Sequence, residues 1–419
     1  MVYYSCNDSL KFIAPLFLLL FFLANAIFCN ASPQSAVKGM DLKYGKSDGY
    51  LKDETEFSKT RNISHDAFDS VYSQVASSGE NVYIVWEQAM GGGNNAKNYD
   101  IYFVVSHNGG LNFSKPMNLS NNSGFSEHPQ IVATGDDVYV LWVDNTVGYR
   151  QVLLRSSHNA GESFTPSLRL SNVSNISFNA ELDASGSNVV AVWNNYEPSK
   201  GFVVTMIVSN DRASSFENKV SLGSADRYSY PKVRVSNGQY YATWNTNQTI
   251  DSMGRILFTS IGNETNASLS SRPLKIASYL NDGEPQIMVI DRNVMIFWTS
   301  ANQSGGYNLY FARSSDDGYH FGKISNLSEN FNDSSNVETA FDGKFLYLLW
   351  QEGVNGNQEI LLRMSTNNFS NIGKIRNVSN NNGTSECPSL SISNGRLHIV
   401  WEDDRTGNHE IFYRSLNLS

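Results

Sequence analysis

The apolar positions of this chain gather into short runs that end on tryptophan. They read "VYIVW" (82–86), "VYVLW" (138–142), "VVAVW" (189–193), "YYATW" (240–244), "VMIFW" (294–298), "LYLLW" (346–350) and "LHIVW" (397–401). The seven tryptophans, Trp86, Trp142, Trp193, Trp244, Trp298, Trp350 and Trp401, recur at spacings of 51 to 56 residues. A self-similar period near fifty residues signals a repeat architecture. Around each tryptophan the pattern predicts four short strands. The first precedes a turn such as "TGDD", "ASGS" or "SNGQ", and the second ends on the tryptophan. A third follows, as in "DIYFVVS", "QVLLRSS", "NLYFARSS" and "EILLRMS", and a glycine-bearing turn leads to a short fourth. Four-stranded antiparallel units repeated around an axis make an all-β, seven-bladed β-propeller, which leaves few open sheet edges.

The same pattern predicts how the ring closes. Fourth strands read "FSKPMNLS" from Phe113, "FTPSLRLS" from Phe164 and "FGKISNLS" from Phe321, yet the last unit stops after its third strand, "EIFYRS". "FSKTRNIS", from Phe57 to Ser64, stands alone before the first unit and matches the missing strand. The N-terminal strand is therefore expected to complete the C-terminal blade, giving a propeller over residues 57–419.

Period-two alternation fixes which residues of the innermost strands face the axis. Gln74, Gln130, Glu181, Lys232, Gln286, Glu338 and Ser389 occupy one position and are all polar. The next position, Val75, Ile131, Leu182, Val233, Ile287, Thr339 and Leu390, is almost wholly apolar. The polar set is expected to line a central channel, with Asp183 and Arg234 deeper in. Tyr72, His128, Asn179, Tyr230, Glu284, Asn336 and Cys387 should ring its mouth, where loops add Glu127, Asp144, Tyr149, Arg150, Asp226, Arg227, Glu352, Glu386, Asp403 and Arg405. Glu181 and Lys232 should meet on neighbouring blades, as a solvent-facing pair worth ~0–1 kcal/mol.

Composition narrows the setting. In 419 residues, apolar content of 40% supports a real core, while charged content is only 17%. The net charge of −9 argues against nucleic acid and anionic membrane surfaces as partners. The apolar run "FIAPLFLLLFFLANAIFC" (12–29), with "ANA" as a small-residue cleavage site, reads as a secretory signal in residues 1–29 or, alternatively, an uncleaved anchor. Residues 30–56 read as a linker. A secreted or cell-surface location follows, with membrane contact only through an uncleaved N-terminal segment. Cys6 and Cys29 lie in the signal or anchor segment, which leaves Cys387 as the single cysteine of the propeller and excludes a metal site built on cysteines. "DDG" at Asp316 and "EDDR" at Glu402 lack the alternating ligands of a calcium loop. No metal and no cofactor are expected. Asn-x-Ser/Thr triplets at Asn62, Asn118, Asn263, Asn326, Asn332 and Asn377 are candidate glycosylation sites, although several are the "NLS" that ends a fourth strand.

The turns before the fourth strands carry a family resemblance. "SHNGGLNF" (106–113), "SHNAGESF" (157–164), "SNDRASSF" (209–216) and "SSDDGYHF" (314–321) follow S-x-D/N-x-G-x-x-F, with Ala213 once in place of glycine. This resembles the Asp-box, or BNR, repeat of sialidase-like propellers. The pattern is degenerate at "SIGNETNA" and "STNNFSNI". In that family the box is structural. The resemblance further implies a catalytic set of three arginines on a substrate carboxylate, a tyrosine nucleophile activated by glutamate, and an acid/base aspartate. Here the first inner strand, "VYSQVAS", has no arginine. Tyr230 and Glu284 fall on adjacent blades, and Arg227, Arg234 and Arg150 could approach the mouth. They are the residues that would serve a sialidase-type glycosidase. Tyr72, His128, Asn179, Glu181, Lys232, Glu338, Asp403 and Arg405 are the candidates for binding a glycan or an extracellular protein without catalysis. A cell-surface scaffold without a small ligand is the third reading.

Overall fold

A computed structural model describes residues 57–91, 98–172, 174–246, 254–262, 274–279, 283–301, 307–327, 334–354, 357–366 and 373–418. The N-terminal segment, the linker, Asn263, Asn332 and most of the two degenerate turns lie outside the described residues.

Seven four-stranded antiparallel sheets follow one another, six of them in chain order from inside to outside. The inner strands are Ser70–Ser78, Ser126–Thr134, Ile176–Ser185, Lys232–Ser236, Gln286–Ile290, Ser335–Phe341 and Ser385–Ser393, which define blades 1 to 7. Each packs against the inner strands of the two neighbouring blades, and that of blade 7 meets that of blade 1. Blade 7 takes its outer strand from the other end of the chain: Arg61–Asn62 pairs with Glu410–Asn417, Arg61 opposite Tyr413 and Asn62 opposite Phe412. The pairing extends beyond those two residues. Ser58 N–H donates to Ser415 O at 2.8 Å, Ile63 N–H to Ile411 O at 2.7 Å, and Phe57 bridges Leu416.

The core lies in the seams between blades. Each of the seven seams holds one apolar cluster, such as Val75, Ile84, Trp86, Val400, Ile411 and Tyr413 between blades 7 and 1. The third-strand arginines belong to these seams. Arg155 donates to Leu119 O at 2.8 Å, Arg363 to Leu327 O at 3.2 Å and Arg414 to Val378 O at 2.5 Å, each reaching the outer strand of the preceding blade.

The four repeated turns share one hydrogen-bond scheme. The serine hydroxyl donates to the Asn or Asp two residues on and accepts the N–H four residues on, the latter at 3.0 Å in all four: Gly110 to Ser106, Gly161 to Ser157, Ala213 to Ser209 and Gly318 to Ser314. The fifth residue has a positive φ, 80° at Gly110, 85° at Gly161, 62° at Ala213 and 87° at Gly318. Backbone sterics favour glycine there, and so does the seam. A Cβ at Gly110 would collide with Tyr413, one at Gly161 would stand 2.8 Å from Phe103, and one at Gly318 would collide with Phe258. Ala213 packs in the cluster that holds Leu154, the residue at the corresponding place in blade 2. An aromatic ring on the preceding blade demands glycine; leucine admits alanine. Gly318→Ala should therefore cost about 2–4 kcal/mol, combining overpacking with left-handed strain, while Ala213→Gly should change stability by less than about 1 kcal/mol. Equal losses in denaturant titrations would separate the glycine rule from seam packing and refute this account.

Candidate functional site

The channel mouth is built by a backbone irregularity. In blades 1, 2, 3, 6 and 7 the inner strand slips register opposite the tryptophan, between Val71 and Gln74, Glu127 and Gln130, Phe178 and Glu181, Ser335 and Glu338, and Glu386 and Ser389. The first bulge residue is left-handed each time: Tyr72 at φ 53°, His128 at 54°, Asn179 at 47°, Asn336 at 51° and Cys387 at 51°. These are the residues expected at the mouth. Pro129 and Pro388 occupy the second bulge position, where a missing N–H costs nothing. In blades 4 and 5 the inner strands begin only at Lys232 and Gln286, so Tyr230 and Glu284 precede the pairing.

The bulges clasp neighbouring blades together. Tyr72 N–H donates to Glu402 Oε2 at 2.9 Å, His128 N–H to Glu87 Oε1, and Cys387 N–H to Gln351 Oε1 at 3.2 Å. Each acceptor is the residue after the tryptophan of the preceding blade, and Glu402 acts across the closure seam. Left-handed non-glycine residues cost on the order of 1 kcal/mol or more and persist where their surroundings over-determine them. Burial drives the Glu87 carboxyl well above its usual range, with Glu127 adding to the effect. Burial likewise pushes Glu402 up to about 7, against the Tyr72 N–H. Glu402→Gln is expected to keep the clasp, because Gln351 already plays that part, and to remove the buried charge. A carboxyl whose folded pKa exceeds its unfolded value near 4.5 costs nothing below that value and destabilises increasingly as pH rises through 7. The variant should gain on the order of 1–3 kcal/mol at pH 8 and nothing at pH 4. A loss at pH 8 would mean that the negative charge itself holds the Tyr72 bulge.

Two tiers surround a cavity of about 60 Å³, room for only a few waters. Tyr72, His128, Glu284, Asn336 and Cys387 contribute the upper tier; Gln74, Gln130, Lys232, Gln286 and Glu338 contribute the lower. The Tyr72 and His128 rings lie 5.1 Å apart, and burial lowers the His128 pKa to about 4, with Arg150 assisting. Lys232 Nζ donates to Glu181 at 2.8 Å, Gln286 Nε2 to Glu338 at 2.9 Å, and Ser389 Oγ to Gln74 at 3.1 Å. The Lys232–Glu181 pair is not solvent-facing: its side chains are 12% and 11% exposed. The small value expected for an open pair is therefore corrected by its burial. Burial opposes the Lys232 charge, but Glu181, Glu338 and Glu284 outweigh it and hold its pKa above the ordinary lysine value. Glu338 is pushed up to about 7 by burial, with Lys232 pulling the other way. Deeper still, Asp183 is raised by burial and accepts Val235 N–H at 2.8 Å, while Arg234 caps Val233 O at 2.8 Å.

The arginines occupy different levels. Arg234 lies within the inner strand of blade 4, which Tyr230 precedes. Arg150 is tied to Glu127 at 2.6 Å, and Arg227 stands on the exposed rim, 6.0 Å from the centre of the Phe178 ring. Tyr230 N–H donates to Asn245 Oδ1 at 2.8 Å, and Asn179 Nδ2 to Ser229 O at 3.0 Å.

Asp403 is 0% exposed. It accepts Trp401 Nε1 at 3.2 Å, Ser385 Oγ at 2.6 Å, Asn381 Nδ2 at 2.9 Å and Arg405 Nη2 at 2.6 Å, which leaves it no face for a ligand. Arg405 covers Phe412 at 4.3 Å. Asp144 repeats the arrangement with Trp142 at 3.2 Å, Ser126 at 2.9 Å and Asn122 at 2.7 Å, and Glu352 with Trp350 at 2.9 Å and Ser334 at 2.6 Å. Among the described residues no group of His, Cys, Asp and Glu side chains is disposed to hold a metal.

No known family model matches the sequence, and no curated protein does. Solved structures do. The polysaccharide lyase Uly1 superposes with a TM-score of 0.57 at 8% identity, over 89% of this chain and 94% of its own. Phage phi92 endosialidase gives 0.50 at 11% identity, over 87% and 70%. Trypanosoma rangeli sialidase in complex with sialic acid gives 0.47 at 11% identity, over 88% and 59%. At these identities the likeness is one of fold. The chain is a seven-bladed propeller of the sialidase-like kind.

Proposed function

We propose that this is an exported propeller that holds a glycan at its channel mouth and the adjoining rim, without cleaving it. The observation that carries the reading is the character of the channel. The described charged groups of the cavity and of the channel beneath it, Lys232 and Arg234 against Glu181, Glu338, Glu284 and Asp183, are in carboxylate excess. A sialidase-type site needs the opposite balance, with planar guanidinium forks converging on the substrate carboxylate. Lys232 is a point charge already engaged by Glu181. The serine-led turns, read as Asp-boxes, serve the seams on the opposite face and leave the mouth to the ligand. A glycan is favoured over a protein because the rim presents separate aromatic rings, Tyr149 at 58%, Tyr196 at 38% and Tyr228 at 50% exposed, suited to stacking on sugar faces. The fold neighbours named as a polysaccharide lyase and an endosialidase add weight by analogy alone. The test is titration with neutral and acidic oligosaccharides, followed by chromatography of the mixture. A saturable site with every oligosaccharide recovered intact is expected; absence of binding across the panel would overturn the reading.

A further inference from the structure

The face opposite the mouth is not uniform in charge. In five blades the residue that enters the outer strand donates its N–H to the third strand at 2.8 Å: Ser114 to Val105 O, Thr165 to Ser156 O, Gly322 to Arg313 O, Gly373 to Met364 O and Ser58 to Ser415 O. The residue that follows is Lys115 in blade 1, Pro166 in blade 2, Lys323 in blade 5, Lys374 in blade 6 and Lys59 in blade 7. All four lysines are exposed, and among the described residues none is in an ion pair. Because blade 7 adjoins blade 1, they stand on four consecutive blades and form an arc on the rim of that face. The serine-led turns at its two ends carry exposed apolar tips, Leu111 in blade 1 at 58% and Tyr319 in blade 5 at 72%. Most acids beside the arc are engaged: Asp316 with His320 at 2.7 Å, Asp317 with Arg292 at 2.8 Å, Asp342 with the Tyr347 hydroxyl at 2.8 Å, and Glu80 with Asn394. Asp291 is exposed and adds one negative charge. On blades 2 and 3 the same face turns acidic, with Asp136, Glu162 and Asp211 exposed.

We infer that this arc, from blade 5 through blade 7 to blade 1, is a docking surface for the anionic headgroups of a membrane, so that the mouth opens away from the bilayer. Lysines on long apolar stems suit a headgroup layer, where their charge meets phosphate while the tyrosine and leucine tips reach toward the acyl boundary. The path of the chain gives the second argument. The closing strand begins at Phe57 beside Leu416, on this face and within the arc. The 56 residues before it, with the apolar run 12–29, therefore join the propeller on the same side. A net charge of −9 disfavours adhesion of the molecule as a whole, but screening confines each attraction to about 8–10 Å. The carboxylate excess lies on the far side, at the mouth. The inference takes the N-terminal run as an anchor and does not depend on what the mouth holds.

Quenching of tryptophan emission by brominated lipid tests it, because the seven native indoles are buried within the sheets and a new one at the surface is read separately. The full chain, carrying Tyr319→Trp or Tyr149→Trp, is incorporated into brominated phosphatidylcholine vesicles with and without phosphatidylserine. Tyr319→Trp should be quenched at least twofold more with phosphatidylserine than without, and the excess should vanish as salt rises. Tyr149→Trp, on the mouth side, should be quenched in neither. Lys59→Glu, Lys115→Glu, Lys323→Glu and Lys374→Glu together should abolish the excess while vesicle flotation and melting temperature stay as they were. Equal quenching of Tyr319→Trp in the two vesicles overturns the inference and assigns the approach to the tether alone. Quenching of Tyr149→Trp overturns it by turning the mouth to the bilayer. A chain that does not float with either vesicle overturns the anchor and the docking together. Lysine-dependent retention on immobilised heparin, with Tyr319→Trp unquenched on vesicles, gives the arc to soluble polyanions and overturns the membrane assignment.

Discussion

A chain that begins at Asp66 is expected to lose several kcal/mol relative to one that begins at Phe57, and to aggregate. The segment removed supplies the outer strand of blade 7. With it go the Ser58 and Ile63 backbone bonds at 2.8 and 2.7 Å, and the Ser64 hydroxyl that donates to Glu410 and accepts Ile411 N–H at 3.0 Å. Arg61 would also leave Gly110 O, its 2.7 Å partner in the serine-led turn of blade 1, so the seam loses a tie as well as an edge. Phe57 would vacate its place under Arg376, 4.5 Å away. Each net hydrogen bond is worth ~0.5–1.5 kcal/mol and each buried large apolar side chain ~1.5–3. The loss is serious against total stabilities of ~5–15 kcal/mol, and the bared strand offers a pairing edge to other copies. Adding a peptide of residues 57–65 in trans should restore the melting temperature. Identical melting of the two chains would refute closure by this strand.

Replacing Lys232 should have the next largest effect, and one that depends on pH. Lys232→Met removes the cation that Glu181, Glu338 and Glu284 share. Removing one member of a buried pair typically costs ~3–5 kcal/mol, and the waters the cavity can hold should bring this to about 2–4 kcal/mol at pH 8. Glu338, already raised to about 7 by burial with Lys232 present, should rise further without it. A carboxyl with its folded pKa raised is unpenalised below the unfolded value and loses stability as pH climbs through the folded one. The deficit of the variant should therefore shrink as pH falls from 8 to 5, and Glu338→Gln added to Lys232→Met should recover part of it at pH 8. A deficit equal at both pH values would assign the loss to packing rather than charge.

The parts of this structure that were legible in the sequence are those written in a single strand's own residues. Tryptophan spacing set the blades, alternation set the channel-facing phase at Gln74 through Ser389, and "FSKTRNIS" announced the closing strand by matching fourth strands elsewhere. The mouth bulges were hidden because the local signal is uneven: Asn179, Asn336 and His128 tolerate a left-handed backbone, but Tyr72 and Cys387 do not favour one, and the acceptor that holds each of those two lies on another blade. Asp403 misled for a related reason. Its tie to Trp401 and Ser385 recurs with Ser126, Trp142 and Asp144 and with Ser334, Trp350 and Glu352, always a serine eighteen residues before the acid. That column is visible once all seven units are aligned, whereas "WEDDR" read by itself suggests an exposed acidic loop. The burial of the Lys232–Glu181 pair could not be read at all, since alternation gives direction and not the width of the channel.

The central claim is that this propeller holds sugar without cleaving it. The most direct measurement is release of a fluorogenic group from a sialic-acid glycoside by the purified protein, beside a Tyr230→Phe variant. The account predicts no release above buffer from either, because among the described residues no set of arginines converges beside Tyr230 and the charged groups of the channel are in carboxylate excess. Clear turnover abolished by Tyr230→Phe would contradict it and make Tyr230 the nucleophile, with Glu284 as its activating base; turnover that survives the substitution would contradict it equally and place the chemistry on other residues.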